Sequence, residues 1–169
     1  MWYASSLKAR MCSTLLRLAA GLLQPQEGTV EGRPQNPAFL FQEDRLLPWE
    51  TAEDNLKLIT GDAEAATLWL KAAGLSDAAN MYPREMSGGM QRRLALARVL
   101  ALDSDMLLLD EPFTGIDRER AEAIAPLVRN YAATRPVLLI THAQEDATLL
   151  GATIYDLAGS PVTDCLARE

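Results

Sequence analysis

The segment of this sequence best suited to chemistry is Leu107-Leu108-Leu109-Asp110-Glu111-Pro112. An apolar strand that ends in two acids delivers carboxylates to the carboxyl edge of a sheet, where ligands of open α/β sheets bind. There the first acid can hold Mg²⁺ through water and the second can polarise an attacking water, as nucleotide hydrolysis requires. An acid pair on its own equally well opens a solvated turn. A second candidate is Ser87-Gly88-Gly89-Met90. A serine and two glycines at a helix start leave backbone N–H groups and the positive end of the dipole free for an anion such as a γ-phosphate. Taken alone, the same residues describe a serine N-cap with a flexible entry. Further on, Val137-Leu138-Leu139-Ile140 carries Thr141-His142 to the same sheet edge, where His142 can reach a phosphate or the attacking water; a surface histidine after a strand is the plainer reading. Gln42, which ends the apolar Ala38-Phe39-Leu40-Phe41, is in isolation no more than a wet strand terminus.

The elements that must position these residues follow from apolar patterning and breakers. A helix-like run over 15–23, led in by Ser13 and Thr14, stops at Gln24-Pro25. Residues 28–31 read as a turn into a short strand, 38–41 as a second strand, and Leu46-Leu47-Pro48-Trp49 as a loop before a helix opening near Thr51. Helices are expected over 62–73, ended by Gly74, from Ser87-Gly88-Gly89 through Ala101, over 118–133 and over 144–150. Strands are expected at 106–109, 137–141 and 153–157. Uniformly apolar strands alternating with helices indicate a mostly parallel sheet covered on both faces, an α/β layered domain. Residues 43–86 suit a small helical subdomain within a single domain spanning 1–169.

Bulk properties exclude several alternatives. At 169 residues and 49% hydrophobic content the chain can bury one core. A net charge of −7 argues against a nucleic-acid footprint, and Arg92, Arg93 and Arg98 read as ordinary helix-face charges. Cys12 and Cys165 have no CxxC spacing, and the single histidine excludes a multi-histidine metal site within one chain. No apolar run reaches membrane-spanning length and the start lacks secretion-signal order, so a reducing cytoplasmic setting is expected, with any membrane role coming through a partner.

In order, these segments resemble the ATP-binding subunit of an ABC transporter. Phe41-Gln42 matches its Q-loop, Met86-Ser87-Gly88-Gly89-Met90 its signature, Leu107 to Glu111 the Walker B strand with its following glutamate, Gly115-Ile116-Asp117 the D-loop, and His142 the switch histidine. Met90 and the Leu46 to Trp49 segment resemble importers of the nitrate, sulfonate and taurine type, which implies a small organic or inorganic anion as solute. The resemblance implies a P-loop NTPase-like fold with ATP and Mg²⁺ as ligands. It implies Glu111 and His142 as catalytic residues; Ser13, Thr14, Gln42, Ser87, Gly88, Gly89 and Asp117 at the nucleotide; and Ser13, Gln42 and Asp110 at the metal. It also implies a head-to-tail dimer with a second ATPase subunit, docked near the Q-loop and helical subdomain on a transmembrane permease at the cytoplasmic face of the membrane. A solute-binding protein would take part indirectly, and no nucleic acid is implied.

The phosphate loop departs from that pattern. A G-x-x-x-x-G-K-[ST] loop should end at Ser13-Thr14, yet the aligned residues are Ser6-Leu7-Lys8-Ala9-Arg10-Met11-Cys12. The glycines that let backbone N–H groups curl around phosphates are missing, and Cys12 stands in place of the lysine. Weak ATP binding and very low hydrolysis by the isolated chain are therefore expected. The strands that precede the loop in the family are expected to be absent, and Trp2 and Tyr3 read as a frayed or packed terminus. A misread start or reading frame, a decaying gene, or a non-catalytic subunit that pairs with an intact partner would each produce this front end. Retention of Glu111 and His142 favours the first.

Overall fold

The computed structural model describes residues 2–5, 9–158 and 164–167, with side chains over 13–155. A six-stranded sheet in the order β2-β3-β4-β1-β5-β6 forms its centre, built from β1 (Trp2–Ser5), β2 (Pro37–Leu40), β3 (Met106–Asp110), β4 (Val137–Ile140), β5 (Thr153–Ala158) and β6 (Asp164–Ala167). All neighbours pair in parallel except β5 and β6. The helices are α1 (Ala9–Ala19), α2 (Ala52–Thr60), α3 (Ala63–Ala72), α4 (Gly88–Leu100), α5 (Arg118–Ala132) and α6 (Gln144–Leu150), with short 3-10 turns at Ser76–Ala78 and Pro83–Glu85.

Both faces of the sheet are covered, which explains its unbroken apolar strands. Side chains alternate across a strand, so β3 and β4 feed two separate clusters. Leu107, Leu109, Val137 and Leu139 join the large core with α2 to α6, whereas Leu108 and Ile140 pack with Leu16 of α1 on the opposite face.

Several elements differ from the sequence expectation. Trp2–Ser5 is a strand wedged between β4 and β5, not a loose terminus. Four residues carry no periodicity of their own, and pairing on both edges is what makes them a strand. Residues 28–31 form no strand. The first helix is shifted: it begins at Ala9 and stops at Ala19 instead of running to Leu23. Gly21 ends it in the left-handed region (φ 73°), with Gly21 N–H donating to Leu18 O at 3.1 Å and Leu22 N–H to Arg17 O at 2.9 Å. That is a Schellman cap, which outcompetes the apolar run beyond it. The side chains of Ala9 to Cys12, and Ser6-Leu7-Lys8 altogether, lie outside the described residues.

Arg92 and Arg93 are not helix-face charges; they are 3% and 5% exposed. The face of α4 that carries them packs inward along with Leu94, Ala95, Leu96 and Ala97. Arg93 donates to Gly74 O at 2.8 Å and also to Ala73 O, closing the carboxyl end of α3. Burial, with Arg120 nearby, lowers its affinity for a proton, while Asp117 works the other way.

Between β2 and α4, residues 43–86 contain α2, α3 and both 3-10 turns. Thr51 caps α2, accepting from Asp54 N–H at 3.1 Å, and Asp62 caps α3 through Ala65 N–H at 2.9 Å. Asn55, fully buried, pins the Leu46 to Trp49 loop onto α2. It accepts from Leu47 N–H at 2.9 Å and donates to Leu47 O (3.1 Å), Glu50 O (3.1 Å) and Thr51 O (2.9 Å). Replacing it strands buried backbone groups, each costing about 1–3 kcal/mol. Asn55→Ala is accordingly expected to lower stability by roughly 2–3 kcal/mol, read as a fall in the urea midpoint at unchanged slope; an unchanged midpoint would show the loop to be held otherwise.

Candidate functional site

A cavity of about 650 Å³ opens where the carboxyl ends of β3 and β4 meet α1, and its lining includes Ser13, Gln42, Asp110, Glu111, His142 and Asp146. Parallel register does the positioning. Asp110 pairs with Ile140, so the residues that follow each strand emerge side by side. Glu111 N–H donates to Ile140 O at 2.8 Å, and His142 N–H donates to Glu111 Oε1 at 3.0 Å. Thr141 Oγ1 lies 3.1 Å from Glu111 Oε2 and 3.0 Å from Asp146 Oδ2. The imidazole Nε2 of His142 is 3.4 Å from Glu111 Oε1. The imidazole is 55% exposed and the Glu111 side chain 14%, so the carboxylate is sheltered while the histidine faces the opening.

Glu111 occupies the left-handed region, with φ 52°. For a residue other than glycine this costs about 1–3 kcal/mol and persists only where neighbours over-determine it. Here the amide, the carboxylate and the carbonyl are all tied down; the carbonyl accepts from Arg92 Nε at 3.2 Å and Arg92 Nη2 at 2.7 Å. Burial pushes the Asp146 carboxyl above the usual carboxylate range, opposed by its bond from Thr141 and by Arg118, while Glu145 adds to the rise.

Ser13, Gln42 and Asp110, whose side chains carry hydroxyl, amide and carboxylate oxygens, line one cavity, and hard oxygen donors of this kind suit Mg²⁺. Among the described residues no cluster of three or more histidine, cysteine, aspartate or glutamate side chains forms a rival metal site. The helix beside them fits a phosphate less well. Because α1 starts at Ala9, Ser13 and Thr14 sit in its second turn, and the free N–H end lies about 6 Å further back at 1.5 Å per residue. Thr14 is exposed and is not part of the cavity wall.

Ser87, Gly89 and Asp117 are not in that cavity. They line a separate concavity of about 290 Å³ with Met90, Arg93, Gly115, Ile116 and Arg120; Gly88 is adjacent in the chain but is not part of the lining. Ser87 caps α4, accepting from Met90 N–H at 3.3 Å, and Asp117 caps α5, accepting from Arg120 N–H at 3.0 Å. Glycine is required at 89, since a Cβ there would stand 2.6 Å from Gly115 O. The two candidate groups are thus held apart within one chain.

The sequence gives Thr141 no role beside His142, reads Arg92 as a helix-face charge and does not single out Asp146. The one available signal was the run Leu94-Ala95-Leu96-Ala97, apolar on all sides of a helix, which marks α4 as buried and its preceding arginines as needing partners.

The family model described as ABC transporter matches residues 12–114. The chain is 41% identical over 159 residues to the aliphatic sulfonates import ATP-binding protein SsuB 1 of Rhodococcus jostii (strain RHA1), covering 89% of this chain and 65% of that protein. It is 38% identical to the uncharacterized ABC transporter ATP-binding protein YtlC of Bacillus subtilis (strain 168), with the same two coverages. The chain therefore spans about two thirds of the length of these relatives. Among solved structures, the dimeric post-hydrolysis state of the ATP-binding cassette MJ0796 bound to ADP and Pi superposes with a TM-score of 0.81 at 26% identity, over 98% of this chain and 84% of that one. With its acid pair, histidine and serine-glycine helix start set on this sheet, the chain belongs to the ABC transporter family.

Proposed function

We propose that this chain is the ATP-binding and ATP-hydrolysing subunit of an importer for a small organic anion of the sulfonate class. The reading is carried by one observation: Ser13, Gln42, Asp110, Glu111 and His142, distant in sequence, share a single cavity while Ser87 and Gly89 lie outside it. A chain so divided completes a site only with a second cassette placed head-to-tail. The dimeric cassette relative and the sulfonate-import relatives support this assignment.

Bound Mg-ATP would supply the phosphoryl group and the metal's charge. Around it, Ser13, Gln42 and Asp110 offer oxygen donors for the metal. Glu111 polarises the attacking water, its carboxylate held in place by the His142 amide and the Thr141 hydroxyl. The exposed imidazole of His142 donates to the same region. Across the dimer, the N-terminus of α4 with Ser87, Gly88 and Gly89 presents its N–H groups to the partner's nucleotide, and Asp117 lies beside them. Residues 43–86 act as the helical subdomain that meets the permease at the cytoplasmic membrane face, exposing Trp49, Leu58 and Leu68. Among the described residues no helix is long and apolar enough to cross a membrane itself. A solute-binding protein would deliver the anion to the permease.

The early start of α1, at Ala9 and so ahead of Ser13, sets the first test. ATP titrated into the isolated chain is expected to bind far more weakly than micromolar, and a micromolar affinity would overturn that. Mixed with a cassette carrying a complete glycine-rich loop, the chain should associate in an ATP-dependent manner. Glu111→Gln is expected to keep that association and lower hydrolysis at its own site about 100-fold or more. Ser87→Glu sets a carboxylate against the partner's phosphates and should weaken ATP-dependent association by roughly 100-fold; association unaffected by it would refute the head-to-tail assignment.

A further inference from the structure

We propose that Arg92 is a positioning residue that locks Glu111 to α4 and to the segment after β2, so that the Glu111 carboxylate stays seated on the His142 amide. This rests on the reading of Glu111 as the group that polarises water.

Two separated segments, 41–44 and 110–111, converge on one guanidinium carried by α4. Nη1 donates to Phe41 O at 2.7 Å and Gln42 O at 3.4 Å, and pairs with Asp44 Oδ1 at 2.9 Å. Nη2 donates to Asp110 O and to Glu111 O at 2.7 Å, and Nε to Glu111 O at 3.2 Å. All three nitrogens are thus engaged by a side chain that is only 4% exposed. A carbonyl held by two donors cannot rotate, and the peptide after Glu111 is held with it. That is the constraint a left-handed, non-glycine residue needs. With the backbone fixed on this side by Arg92 and on the other by Ile140 O, the side chain has one sheltered place to go, against His142 N–H and Thr141 Oγ1. Arg92 lies five positions beyond Ser87, on the same helix. The element that presents Ser87 and Gly89 is therefore rigidly joined to the acid of the other cavity, and Gln42 is tied into the same clamp. A lysine cannot reproduce this, since one ammonium cannot span a fork of acceptors.

The chain has one histidine, so ¹⁵N-histidine labelling of the full chain yields a single backbone amide signal, that of His142. Glu111→Ala removes its acceptor and calibrates the upfield shift of the amide proton. Arg92→Gln is expected to move the signal in the same direction, and Arg92→Lys to move it part of the way. A signal left at the wild-type position in folded Arg92→Gln overturns the proposal. Should that variant not fold, an unmoved signal in Arg92→Lys does so. With a complete-loop cassette whose own catalytic glutamate is replaced by glutamine, so that the remaining hydrolysis reports the site of Glu111, both Arg92 variants should lower kcat by about 100-fold, the scale of a small misplacement, with KM for ATP unchanged. Lowered melting temperature with unchanged kcat would show a purely structural role and overturn the proposal. Hydrolysis that survives Glu111→Ala would instead defeat the underlying reading of Glu111, while the amide signal still judges Arg92.

Discussion

The site depends on the register in which β3 lies beside β4. Parallel pairing of Leu107 to Asp110 with Val137 to Ile140 brings two chain exits to one point of the sheet edge. A slip of one residue would turn every side chain of a strand to the other face. Leu108 would then leave the α1 side for the large core, and Glu111 would lose Ile140 O and His142 N–H together. Core packing and site geometry are thus specified by the same ladder. The uniform leucines of β3 tolerate either face, so the discrimination falls to what flanks them, the buried Asp110 and the bonds of Glu111.

Strain and polarity are concentrated at that edge. Glu111 takes a backbone conformation that its residue type disfavours, and the surrounding hydrogen bonds hold it there. Arg92 is buried where an unpaired charge would be prohibitive, and its acceptors are the Asp44 carboxylate and backbone carbonyls left free where β2 and β3 end. The two features offset each other: strand ends need donors, and a buried guanidinium needs acceptors. Elsewhere the same economy appears with Arg93 at the carboxyl end of α3 and Asn55 beneath the loop before α2.

The amino end of the domain shows how tertiary context overrides local pattern. Trp2–Ser5 fills the slot between β4 and β5, and α1 begins soon after it. Ser13 consequently reaches the cavity from inside a helix and not from its N-terminal rim. Ser13 thus keeps its place in the cavity wall, whereas backbone N–H groups at this point are spent on the helix itself.

What the sequence determined by itself was the alternation of apolar strands with helices, the helix starts near Thr51, at Asp62 and at Ser87, and the acid pair, histidine and serine-glycine turn. These are local signals, since periodicity, capping and motif spacing are written within a few residues of one another. Only the tertiary structure decided that Trp2–Ser5 is a strand and that Arg92 and Arg93 are buried. It also sorted the motif residues into two groups, one around the acids and one at the start of α4. Each of these depends on a partner far along the chain: β4 and β5 for the first strand, and the carbonyls of Phe41 and Glu111 for Arg92. A side chain that will be buried by distant acceptors looks, in sequence, the same as one that will face water.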